Sequence, residues 1–134
     1  MQQRTVTLSP ADILSLLVTP FQIAGAPGPN FALVPVSITG KLLFGTTPYA
    51  GGSNLTIQIG PLGASGTQPA ILAGVLTAGA DEIQLAPTPA FTAFAGSSTL
   101  NENMGIFLSI PGPAFTLGDG SLIVTIFYGV APTV

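Results

Sequence analysis

The chain has 134 residues, of which two are basic and five acidic, for a net charge of −3 at pH 7. This length suits a single domain over residues 1–134 with one continuous core. The absence of cysteine and histidine excludes disulfides, thiolate or imidazole metal ligands and the commonest general base.

The two cations, Arg4 and Lys41, are separated and release too few counterions for nucleic-acid binding, so no nucleic-acid partner is expected. Charged residues are 5% of the chain, against about a quarter in ordinary soluble domains. A surface so poor in ions cannot rely on charge repulsion for solubility, which predicts that copies of the chain or a larger partner cover much of it. The mean hydropathy of +0.67 does not signal a membrane span. A spanning helix needs about 20 mainly apolar residues, and Pro, Gly, Ser or Thr cuts every uncharged stretch here. The first four residues lead into an alternating pattern rather than the apolar block of a signal peptide. No membrane partner is expected.

Residues 4–8 alternate, Val6 and Leu8 on one face and Thr5 and Thr7 on the other, as an opening strand does. Ser9, Pro10 and Asp12 then predict a short helix, with Ser9 as N-cap and Pro10 where its missing N–H costs nothing. Thr19-Pro20 ends it. A second strand is expected over 21–24, followed by a Gly/Pro-rich loop. Residues 31–44 predict a long strand, with Val34, Val36, Ile38, Leu42 and Phe44 in one register. Pro35 cannot donate to a ladder, so it marks an edge or a bulge, and Gly40 marks a bend.

The loop over 45–54 carries one large side chain, Tyr49, either a contact residue or a ring folded back over the end of the sandwich. Leu55, Ile57 and Ile59 alternate with Thr56 and Gln58 in a half-polar strand. Residues 62–68 read as loop, 69–76 as either helical turn or strand, and 83–85 as a short strand. Residues 86–98 lack pattern, with Phe91 and Phe94 as anchors of an extended arm or a loop laid over a neighbour. A penultimate strand over 104–110 is expected to pair with the last strand as a long-looped hairpin. Gly118-Asp119-Gly120 is a tight-turn signal before that last strand. Over 121–128 both alternating faces are largely apolar, which predicts a central strand covered on both sides. The sum is an all-β domain, a jelly-roll or Greek-key β-sandwich with one or two short helical insertions.

No constellation of reactive groups emerges. A serine triad lacks its base, and nothing places a serine beside Lys41. Asp81, Glu102 and Asp119 are the spaced candidates for a carboxylate pair. Each adjoins turn residues, where acids hold backbone N–H groups, and Asp81-Glu82 are neighbours that point apart on a strand. No calcium-loop or phosphate-loop spacing exists. The expectation is a non-enzyme without metal or cofactor.

The order of these signals resembles a known class of protein. Thr5-Val6-Thr7-Leu8, a short helix, a strand after Pro20, Ala26-Pro27-Gly28, the run from Phe44 to Leu55 and Gly118-Asp119-Gly120-Ser121-Leu122 through Tyr128 are similar to small virion proteins of tailed bacteriophages, in particular capsid cement or decoration proteins. The resemblance implies a β-sandwich on the outer capsid surface of the virion. It implies two partners, the major capsid protein and the chain itself as dimer or trimer. Where that pattern carries a basic residue after Ala26-Pro27-Gly28, this chain has Pro29-Asn30. The interface residues expected are Gln2, Gln3 and Arg4 on an N-terminal arm over 1–7, Phe91 and Phe94 on their loop, and Tyr49. A tail or baseplate module binding host glycan or receptor is the alternative.

Overall fold

A computed structural model of the chain describes residues 1–60, 65–71, 73–86 and 102–133. Among them are strands β1 (Gln2–Leu8), β2 (Phe21–Ala24), β3 (Phe31–Leu43), β4 (Tyr49–Gly51), β5 (Leu55–Ile59), β6 (Ser65–Ile71), β7 (Glu82–Ala86), β8 (Ile106–Ser109), β9 (Phe115–Leu117) and β10 (Ser121–Pro132). Two short helices interrupt them, α1 (Pro10–Leu14) and α2 (Ala73–Leu76). The fold is all-β. Eight strands form two antiparallel sheets, ordered β1-β10-β3-β7 and β2-β8-β5-β6, while β4 and β9 pair as a small third ladder.

The pairing is that of one long hairpin rolled up, β1 with β10, β2 with β8, β3 with β7 and β5 with β6. Every connection between consecutive strands of the two main sheets except β5 to β6 therefore crosses from one sheet to the other. One apolar core lies between the sheets. Leu8, Ile38, Leu42, Leu122, Val124 and Ile126 of the first sheet meet Ile23, Leu55, Ile57, Ile59, Ile106 and Leu108 of the second. All are buried, as alternation on two facing sheets requires.

Local chemistry explains the elements that sequence reading found. Ser9 accepts from the Asp12 N–H at 3.2 Å while Asp12 accepts from the Ser9 N–H at 2.9 Å, a complete capping box with Pro10 in the first turn. Ile13 and Leu16 beneath it plug the end of the sandwich. In β3, Tyr128 opposes Pro35 and Phe127 opposes Ser37, so Val36 is the extra residue of a bulge. Proline at the bulge removes no ladder bond that a regular strand would have made.

Five expectations need correction. First, residues 2–7 are no free arm, since each pairs with β10 from Gln2 opposite Tyr128 to Thr7 opposite Ile123. Second, the penultimate and last strands do not form a hairpin. β8 lies between β2 and β5, β10 lies between β1 and β3, and the segment joining them carries β9. Third, the bulge flips the inward parity of β3, so Leu33 is buried and Val34 is 46% exposed, before Ile38 and Leu42 turn inward. Fourth, residues 65–71 form a strand despite Gly66 and Pro69, with register shifts absorbing both ends of its pairing with β5. Fifth, β10 is central but covered on one side only: Leu122, Val124, Ile126 and Tyr128 are buried, and the residues between them are half-buried.

The half-polar β5 differs in another way. Thr56 and Gln58 point away from the core yet are buried. Thr56 Oγ1 donates to the Ser109 carbonyl at 3.0 Å, Ser109 Oγ donates to Gln58 Oε1 at 2.7 Å, and Gln58 Nε2 donates to the Gly60 carbonyl at 2.9 Å. Thr56, Gln58 and Ser109 thereby each meet a partner, the condition for carrying such groups out of water.

Candidate functional site

The carboxylates are committed to the backbone. Asp81 accepts from the Phe44 N–H at 2.8 Å. Glu102 accepts from the Asn30 N–H at 2.9 Å and from the Thr133 hydroxyl at 3.1 Å, and Asn103 beside it accepts from the Gly28 N–H at 3.0 Å. Asp119 accepts from the N–H groups of Thr46 and Thr47 at 2.8 and 2.9 Å and from the Thr46 hydroxyl at 2.5 Å. Together with Asp12 in its capping box, four of the five acids fasten loops. Glu102 bridges to the start of β3 and Asp119 to the loop after its end, so these two stand at opposite ends of a 13-residue strand and cannot share a substrate. Among the described residues no group of three or more acids is placed to hold a metal ion.

Tyr49 is not a contact residue. It is 3% exposed, its hydroxyl donates to the Gly120 carbonyl at 2.7 Å, and its ring meets the edge of Phe115 at 6.1 Å and 76°. This is the folded-back arrangement, and it needs glycine beside it. Gly118, at φ 83°, lies so close under the Tyr49 ring that a Cβ there would overlap it. Burial, and secondarily the Asp119 charge, pushes the Tyr49 hydroxyl up to about 12. The Thr46 hydroxyl, then the Thr47 and Thr46 N–H groups, hold Asp119 below the usual carboxylate range.

These two shifts set both limbs of a stability profile. A lowered carboxyl contributes stability above its unfolded value that is lost as pH falls through the folded value. A raised phenol contributes stability that is full below 10.0, its ordinary value, and lost as pH climbs toward 12. Urea midpoints measured against pH should fall at both extremes. Asp119→Asn is expected to flatten the acid limb and leave the alkaline loss in place, because burial is the main cause of the Tyr49 shift.

Gln2, Gln3 and Arg4 are exposed, but β1 divides them between faces. Gln3 looks outward with Thr5 and Thr7. Gln2 and Arg4 have the inward parity of Val6 and Leu8, opposite Tyr128 and Ile126. At this end the inner face of β1, β10 and β3 carries a cleft of about 420 Å³ lined by Gln2, Arg4, Phe31, Leu33, Tyr128 and Val130, with residues 25–27, which follow β2, as a wall. Sequence parity placed Arg4 on this face; the cleft itself depended on residues 25–27 coming to stand over it. Phe91 and Phe94 lie outside the described residues.

The outer face of the first sheet is a second feature. Thr7, Ile123, Lys41 and Ile83 form one row across it, and Thr5, Thr125, Thr39 and Leu85 the next. Thr5 and Thr125 hydroxyls are 3.0 Å apart. Lys41 is the one ion in these rows. Ile83 and Leu85, on edge strand β7, are 66% and 65% exposed, and Leu43 nearby is 38% exposed. Sequence reading found the β7 strand but not that its apolar pair faces solvent, since β7 alone does not say which face meets the core.

Among the described residues no helix is long and apolar enough to cross a membrane. Compared with known proteins, the chain matches no family model, no curated relative and no solved structure.

Proposed function

We propose that the chain is a structural virion protein of the capsid cement or decoration type, without catalytic activity, that binds the outer surface of a major capsid shell and braces its capsomers. The observation that carries this reading is the outer face of the first sheet. It is broad, threonine-rich and nearly free of ions, and it presents Ile83 and Leu85 at its rim. Such a face is poorly suited to remain in water and well suited to a neighbour that removes it from water. The strand order β1-β10-β3-β7 over β2-β8-β5-β6 further supports a jelly roll, two Greek keys closed on one core. The acids that might have suggested hydrolysis serve as loop fasteners.

Self-association as a dimer or trimer belongs to the same proposal, because repetition on a lattice lets modest contacts sum to firm attachment. The test is localisation by labelling on purified particles, with occupancy measured per capsomer. Regular density at capsomer junctions is the expected result. A position at the tail would favour the receptor- or glycan-binding module, and no attachment to a particle would end both.

A further inference from the structure

We propose that the cleft between the inner face of the first sheet and residues 25–27 is a binding site for a carboxylate carried on an apolar body. The inference concerns a different surface from the outer face of the first sheet and does not depend on the function proposed above. Its volume, about 420 Å³, falls within the range of small-ligand sites. Its floor is apolar, formed by Leu33 with Phe31 and Val130, which are 43% and 41% exposed. Two polar groups converge over that floor. Among the described residues Arg4 has neither a hydrogen bond nor an ion pair, and the Tyr128 hydroxyl has no partner. Both belong to the inward-facing set of their strands, and both line the cleft.

Charge selects the ligand. The chain carries −3 overall and has two cations; Lys41 lies on the outer face of the same sheet, and Arg4 alone stands in the cleft. Two carboxylates are already spoken for: Asp12, the acid nearest Arg4 in sequence, by its capping box, and Glu102, opposite Ala32, by Asn30 and Thr133. A guanidinium presents a planar fork that matches a carboxylate through two parallel N–H bonds. Phe31, Leu33 and Val130 would take the hydrocarbon behind it. Such a group can be a free organic acid or the acidic tip of an apolar polypeptide segment, and the two sources share this chemistry.

The test titrates the full-length chain with octanoate, with octanol as its uncharged counterpart, and with the blocked peptides acetyl-Leu-Leu-Glu-amide and acetyl-Leu-Leu-Gln-amide. Binding is followed by NMR shifts of the Leu33 and Val130 methyl groups. At least one acidic probe should bind ten-fold or more tighter than its uncharged counterpart, and the acid that does so identifies the source. Arg4→Gln should erase that gap. Val130→Glu, which sets a competing carboxylate in the cleft while keeping Arg4, should erase it independently. Both positions are solvent-accessible, and thermal melts confirm that the variants fold. No preference for either acid, or a preference that survives Arg4→Gln, overturns the proposal.

Discussion

Tyr49→Ala is expected to lower the folding free energy by about 3–5 kcal/mol, the usual range for removing a buried aromatic side chain. Tyr49→Phe should lower it by only about 1 kcal/mol, for one lost hydrogen bond. The difference follows from what the ring does. Tyr49 begins the short β4 and Phe115 begins the β9 with which it pairs, so the edge-to-face contact adds to that ladder and to the Asp119 bonds in joining the two connections. Its hydroxyl then reaches the Gly120 carbonyl just before β10. Removing the ring leaves a void against Phe115, and the three-residue ladder of β4 and β9 is too short to hold without it. Removing the hydroxyl leaves one carbonyl without its donor. Urea titrations at neutral pH give both numbers, and a Tyr49→Ala protein within about 1 kcal/mol of the parent, well short of the range for a buried ring, would contradict this account. Gly118→Ala provides an independent check. The added methyl meets the same ring, and the backbone there has a φ of 83°, so a loss of about 1–3 kcal/mol is expected from the conformation alone.

Replacing Ile83 and Leu85 together by glutamate is expected to reduce particle occupancy at least about 100-fold, as burying two large apolar side chains is worth about 1.5–3 kcal/mol each and a carboxylate cannot be buried in their place. Stability of the isolated chain should change by less than about 0.5 kcal/mol, because both side chains are mostly in solvent before any partner arrives. That contrast distinguishes an interface from a core. Val18→Glu is the control, since Val18 is 82% exposed but follows α1, away from the outer face. It should leave occupancy unchanged. Sedimentation of the free chain would show whether the same pair also joins copies to one another. Full occupancy by the double variant would remove the outer face from the mechanism.

Most strands were legible because their signals are local. The capping box at Ser9 and Asp12, the alternation from Leu55 to Ile59 and the 121–128 run each state their conformation within a few residues. Pro35 announced its bulge for the same reason. Pairing was not legible, since nothing near Ile106–Ser109 reveals that its neighbours are β2 and β5 rather than the strand that follows it. β6 was obscured by Gly66 and Pro69, whose propensities oppose a strand and are overridden by pairing with β5. Tyr49 shows a similar limit. A tyrosine among Gly, Pro and Thr looks like a loop contact until the distant Phe115 and Gly120 come to meet it. The inward parity of Arg4 could be counted from Val6 and Leu8, whereas the cleft needed residues 25–27 to wall the inner face of the first sheet, a tertiary fact.

The position of β10 has a consequence for how the protein is made. Strands β4 to β9 come between β3 and this 12-residue strand in the chain, yet it lies between β1 and β3 and holds both in place. A nascent chain leaving the ribosome therefore has β1 and β3 waiting, unpaired with each other, until β10 has been made. Sheets assembled from such distant partners fold slowly, and half-made intermediates expose strand edges that associate wrongly. Closure of the first sheet therefore waits on β10, and a chain cut short before that strand would keep β1 and β3 without the partner they share, their edges open to wrong association.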